Sequence, residues 1–167
     1  MSIFSARFET PLGPVLAAAN HGAIVGLWFL DQRYFPPAAS DWTERPGDAA
    51  LRRLGSWLDA YFAGQSPAPD FPLAPPGTPF RQAVWSLLRQ IPYGWTATYG
   101  DLARRLGAPG RPASARAVGG AVGHNPISLV IPCHRVIGAD GGLTGYAGGL
   151  KRKTALLDLE GARPPLL

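Results

Sequence analysis

The chain has 167 residues, enough for one ordinary domain or two small ones. Hydrophobic residues make up 46%, enough to fill a core, and the single cysteine excludes an internal disulfide and a multi-cysteine zinc site. Residues 1–77 carry five Lys/Arg against seven Asp/Glu, residues 78–167 eleven against four, so the second half is the one suited to a polyanion.

Arginine-rich, alanine-rich composition alone would produce the same imbalance, so charge leaves the partner open. No long apolar run follows a basic start, and no stretch approaches the ~20 apolar residues of a membrane span, so neither a signal peptide nor a membrane partner is expected. A lone thiol fits a reducing, cytoplasmic compartment.

In chain order, IFSARF alternates apolar and polar residues, and VLAAAN and AIVGLWF follow across the turn elements PLG and NHG. This pattern predicts a small antiparallel meander. From Asp48 to Phe62 the period changes. Leu51, Leu54, Trp57, Leu58, Tyr61 and Phe62 share one helical face, with Asp48 as N-cap and Gly64 as stop. Residues 64–77 hold five prolines and two glycines, which reads as a linker between domains. The expected division is therefore 1–75 for an N-terminal α/β domain, its linker beginning near 64, and 76–167 for a C-terminal domain.

Thr78-Pro79 predicts an N-cap and first helical residue, and Phe80, Val84, Leu87, Leu88 and Ile91 continue an apolar stripe to PYG. A second helix starts at TYGDLARRL, where Thr98 and Asp101 resemble a capping box. The turn GAPGRP leads to a third helix, ASARAVGGAVGHN, closed by Asn125-Pro126. Two helices joined by a short glycine-containing turn form a helix-turn-helix pattern.

The third helix is unusual for one that reads bases. From Ala113 to Gly123 its only long side chain is Arg116, where base readout ordinarily uses several polar side chains. Its small residues let the backbone come close to a partner, and one arginine on a smooth surface suits a narrow groove or a gap in a base stack. The competing reading is tight helix–helix packing.

Cys133 lies in IPCHRV. The preceding SLVIP reads as a buried, rigid strand, Pro132 limits the backbone, and His134 and Arg135 place polar groups beside the thiol. A thiolate is the reactive form, and such neighbours promote it. On an extended strand Cys133 and His134 would face apart, so a bend or bridging water is required. Glu160, in LKRKTALLDLEG, has the residue type to orient the imidazole. Lys151, Arg152 and Lys153 open that helix and read as cations facing phosphates or solvent.

IPCHRV, preceded by RAVGGAVGHNP and followed by GGLTGYAGGL, resembles the signature of the O6-alkylguanine-DNA alkyltransferases. TPLGPVLAA, GLWF, YFAGQ and GTPFRQAVW extend the resemblance almost end to end. It implies an α+β protein: an antiparallel sheet with a helix, ribonuclease H-like, then a helical domain with a winged helix-turn-helix. It implies Cys133 as alkyl acceptor, His134 as water-linked base, Glu160 as its orienting carboxylate and Asn125 as hinge. Arg116 would fill the space of the extruded base. Ser114, Ala115, Ala117 and Gly119 would lie along the DNA. Tyr99, Val136 (through its carbonyl), Tyr146, Ala147 and Arg135 would wall the pocket. The implied partner is double-stranded DNA containing O6-alkylguanine, met by a monomer near the nucleoid, with cooperativity along DNA open. No cofactor or metal is implied. The turn GAPGRP is longer than the family's usual turn, Ala147 stands where serine is frequent, and Trp95 where an acidic residue is frequent. Two alternatives remain: a module that recognises alkylated DNA without repairing it, and a cysteine hydrolase using Cys133 and His134.

Overall fold

The computed structural model describes residues 2–108 and 110–162. Pro109 of the expected turn, and Met1 and 163–167 at the ends of the expected domains, lie outside them. The chain divides into two compact units, one of residues up to Pro76 with Pro126–Ser128, the other of Gly77–Asn125 with Leu129 onward.

In the first unit, β1 (Phe4–Phe8), β2 (Val15–Asn20) and β3 (Ala23–Phe29) form the antiparallel meander that alternation predicts. A bulge falls between Ala18 and Ala19. An unexpected short strand, β4 (Thr43–Glu44), pairs in parallel with β1; both residues are exposed, so no apolar pattern marks them. Helix α1 (Ala49–Phe62) begins where Asp48 accepts a hydrogen bond from the Leu51 N–H, and it buries Leu51, Leu54, Trp57, Leu58 and Tyr61. The proline-rich segment is more than a connector. Leu73 bridges Ile24 on β3, Phe71 is buried, and the Trp57 indole N–H donates to Pro67 O at 3.0 Å.

In the second unit, α2 (Pro79–Leu88) starts at a Thr78 cap. Helix α3 (Tyr99–Leu106) has a complete capping box between Thr98 and Asp101, and α4 (Ala115–Gly123) is capped by Ser114. Helix α4 packs on α2 and α3, and the buried Trp85 indole N–H donates to Ala121 O at 2.8 Å. A short parallel pair, β5 (Ala97–Thr98) with β6 (Val136–Ile137), and α5 (Leu150–Glu160) complete the unit.

Residues 128–132 are buried, as expected, but they form no strand. Prolines at 126 and 132 remove two ladder donors, Leu129 adopts φ 71°, and the chain runs through turns into a 3-10 turn at Cys133–Arg135.

Candidate active site

Cys133 opens that 3-10 turn, so Cys133 and His134 are not the alternating residues of a strand. Both are buried: Cys133 is 5% exposed and His134 0%. The turn is fixed by hydrogen bonds from Cys133 N–H to Ile131 O and from Arg135 N–H to Pro132 O. Asn125, at the end of α4, donates from its side chain to Ile131 O at 2.7 Å. It thereby ties the end of α4 to the segment that carries the thiol.

Helix α5 supplies the groups behind the turn. Lys153, Leu156, Leu157 and Glu160 are its buried residues, spaced i, i+3, i+4 and i+7 along one face. Glu160 lies 2.7 Å from His134 Nε2. It also accepts from Arg135 Nε at 2.8 Å and Nη2 at 3.1 Å, a bidentate pairing. Burial would raise the Glu160 pKa, but the hydrogen bonds and charges of His134 and Arg135 outweigh it and hold it at about 2. Burial drives the His134 pKa down, against the pull of Glu160, so the imidazole is neutral at neutral pH. An ionised carboxylate can only accept, which assigns the ring proton to Nε2 and leaves a lone pair on Nδ1. Nδ1 is buried and has no hydrogen-bond partner among the described residues.

Burial pushes the Cys133 thiol up, while an Asn125 hydrogen bond and the Lys153 charge pull the other way. The resting group is therefore a thiol, and the thiolate forms only when a base takes its proton. The Tyr146 hydroxyl is also buried and has no hydrogen-bond partner among the described residues. Its pKa is raised well above the usual value by burial and the Cys133 charge.

Lys153 was misjudged from the sequence, which treats it with Lys151 as a solvated or phosphate-facing cation. Lys151 is exposed, but Lys153 is 0% exposed. Its Nζ donates to Val136 O at 2.5 Å, Thr144 O at 2.8 Å and Gly145 O at 3.4 Å, fastening the loop that bears Tyr146. Burial lowers its pKa to about 8, opposed by Cys133. The signal for it was the helical face it shares with Leu156, Leu157 and Glu160.

Other candidates fall in separate places. Arg135 lies behind the histidine, its Nη1 donating to Ile91 O at 2.7 Å and its Nε and Nη2 to Glu160. The Val136 carbonyl holds Lys153, leaving its second lone pair. Tyr99 starts α3 and is partly exposed; Ala147 is partly buried in the loop after Tyr146. Ser114, Ala115, Arg116 and Ala117 are exposed at the start of α4, and Gly119 is half-buried. A Cβ added at Gly119 or Gly120 would meet nothing within 4 Å. Packing inside the protein therefore does not require glycine at either position. Trp95 is partly buried, with its backbone N–H donating to Pro92 O at 3.1 Å.

Residues 79–162 match the family model described as 6-O-methylguanine DNA methyltransferase, DNA binding domain, and residues 3–75 match that of its ribonuclease-like domain. The chain belongs to the 6-O-methylguanine DNA methyltransferase family. The methylated-DNA–protein-cysteine methyltransferase of Mycobacterium tuberculosis is 48% identical over 157 residues, 94% of this chain and 92% of that protein. The protein of that name from Methanosarcina acetivorans is 43% identical over 160 residues, 96% and 99% of the two chains. A crystal structure of M. tuberculosis OGT in complex with DNA superposes with a TM-score of 0.87 at 46% identity, covering 97% of this chain and 95% of that one. Fold class and family agree with the expectations drawn from the sequence. No helix among the described residues is long and apolar enough to cross a membrane.

Proposed function

We propose that the protein repairs DNA by direct reversal, moving the alkyl group of O6-alkylguanine in duplex DNA onto Cys133. The observation that carries this reading is the buried Cys133–His134–Glu160 arrangement within the DNA-binding domain of a methyltransferase family. A base stacked in a duplex cannot present its O6 substituent to a buried thiol, so the nucleotide must flip out. Arg116 fills the space it leaves. Tyr99 stands beside the flipped nucleotide, and Tyr146, Ala147 and the Val136 carbonyl wall the pocket. Ser114, Ala115, Ala117 and Gly119 bring the α4 backbone against the DNA.

The chemistry follows from the electrostatics. His134 Nδ1 takes the thiol proton through a bridging water, and Glu160 stabilises the imidazolium that forms. Asn125 and Lys153 stabilise the thiolate. Sulfur attacks the alkyl carbon in line with the C–O6 bond. A C–S bond forms, the C–O bond breaks with its electron pair on the guanine, and the proton held on His134 balances that charge. Water does not readily cleave the thioether, so each molecule reacts once. A binder that only recognises alkylated DNA has no use for this thiol, and a hydrolase has none for the α3–α4 pair.

Intact-protein mass spectrometry after mixing with a duplex containing one O6-methylguanine tests the reading. One methyl per protein, mapped to Cys133 and absent in Cys133→Ser, is the expected result. Binding without any mass change would reject it.

A further inference from the structure

The last carbonyls of an α-helix have no partner within it. At the end of α4 they are met by separate donors. His124 N–H donates to Gly120 O at 3.0 Å and Asn125 N–H to Val122 O at 3.3 Å. Between them, the Ala121 carbonyl takes the indole N–H of Trp85, which reaches across from α2 at 2.8 Å. Trp85 and Ala121 are both buried, so water does not substitute for this donor.

Trp85 is itself held in place. Its ring lies against Gly77, where a Cβ would fall 2.4 Å from the ring atom Cη2. On the other side of the tie, Asn125 precedes Pro126, which disfavours another helical residue. The chain therefore leaves α4 at a fixed point, and there the Asn125 side chain donates to Ile131 O at 2.7 Å. The same side chain favours the Cys133 thiolate through a hydrogen bond. A continuous path of hydrogen bonds thus runs from α2, through the last turn of α4, to the segment that carries the thiol.

We infer that Trp85 is a positioning residue for alkyl transfer: its indole N–H fixes the last turn of α4 and so places Asn125 against the Cys133 segment. The inference rests on the proposed transfer to Cys133. Trp85→Phe keeps an aromatic ring in the core but removes the donor, leaving the Ala121 carbonyl buried and unsatisfied. The end of α4 then shifts, and Asn125 with it. Transfer should slow roughly ten- to hundredfold, the scale of a displacement of ~1 Å near reacting atoms. The Cys133 thiol should titrate at higher pH, because the Asn125 bond that favours its thiolate is weakened. In an Asn125→Ala background, Trp85→Phe should add no further shift.

The test measures the pH dependence of thiol alkylation and the single-turnover transfer rate for the wild type, Trp85→Phe, Asn125→Ala and the double variant, with thermal melting of each. Val84→Ala serves as control, because Val84 is buried on the same helix and has no side-chain donor. Slower transfer and a higher thiol titration in Trp85→Phe, with neither in Val84→Ala, are the expected results. A Trp85→Phe protein that melts lower but reacts and titrates like the wild type overturns the inference. So does a Val84→Ala protein that moves both readouts as far, or a double variant whose titration rises above that of Asn125→Ala. Should Trp85→Phe not fold, Gly77→Ala decides, since its methyl must displace the indole: a raised thiol titration upholds the tie and an unchanged one overturns it. A wild type that accepts no alkyl group overturns the proposed function, and the thiol titrations still decide the link from Trp85 to Asn125.

Discussion

At the scale of single residues, the site depends on keeping His134 neutral beside an ionised Glu160. Burial lowers the His134 pKa from its ordinary 6.5, so the base stays available in mildly acidic solution. The single-turnover transfer rate should therefore hold as pH falls through 6.5 and decline only below it. A rate that halves at 6.5 would contradict the assignment. Glu160→Gln removes the charge that stabilises the imidazolium and should slow transfer ~10²-fold or more, with duplex affinity nearly unchanged. Glu160 also binds its proton more weakly in the folded chain. Its contribution to stability is complete above about 4.5 and is lost as pH falls toward about 2.

Lys153 allows a second test at the same scale. Lys153→Met keeps the helical face apolar but leaves the Val136, Thr144 and Gly145 carbonyls without their Nζ donor. The buried Val136 carbonyl, left without that donor, costs about 1–3 kcal/mol, and the Cys133 thiol should titrate at higher pH without the nearby cation. Denaturant unfolding and the pH dependence of thiol alkylation measure the two effects separately. An unchanged thiol titration would remove Lys153 from the chemistry and leave it a purely structural tie.

Elements show what the sequence could and could not specify. Alternation located β1 to β3 and helical periodicity located α1 and α2, because each buries one face in a regular pattern, while capping and turn residues marked α3 and α4. Thr43 and Glu44 bury nothing, so β4 was invisible. The SLVIP run was misread because a short buried apolar run carries no period of its own; flanking prolines and the positive φ of Leu129 made it turns. In α4 the sequence left two readings of its glycines, and the open space above Gly119 and Gly120 decides against internal packing. Replacing either by alanine should raise helix stability by up to ~1 kcal/mol and, on the proposed DNA contact of α4, weaken duplex binding, because the new methyl would stand in the space left for the duplex. Opposite signs in thermal melting and in duplex affinity are the expected result. Thr98→Ala, which breaks the α3 capping box, should lower stability alone, by ~1 kcal/mol.

At the scale of the whole molecule, the residue types of the site were legible, but their arrangement was not. Cys133, His134 and Glu160 are far more distinctive in a motif than in a composition, whereas the tautomer of His134, the placement of Arg135 and the burial of Lys153 depend on how α5 packs. That packing also bears on the fate of the reacted protein. Cys133 is 5% exposed in a closed turn, and Asn125 ties that turn to α4 through its bond to Ile131 O. A methyl on that sulfur adds volume to a packed region, at a cost of about 1–3 kcal/mol. For a chain of this size each kcal/mol lowers the melting temperature by about 2–4 °C. The alkylated protein should therefore melt roughly 2–12 °C below the unreacted one, with the loss in the second unit, where hydrogen exchange should quicken first in the Cys133–Arg135 turn and the end of α4. Equal melting temperatures before and after reaction would mean that the pocket already holds room for the methyl group, and that the product is retained only because its C–S bond is stable.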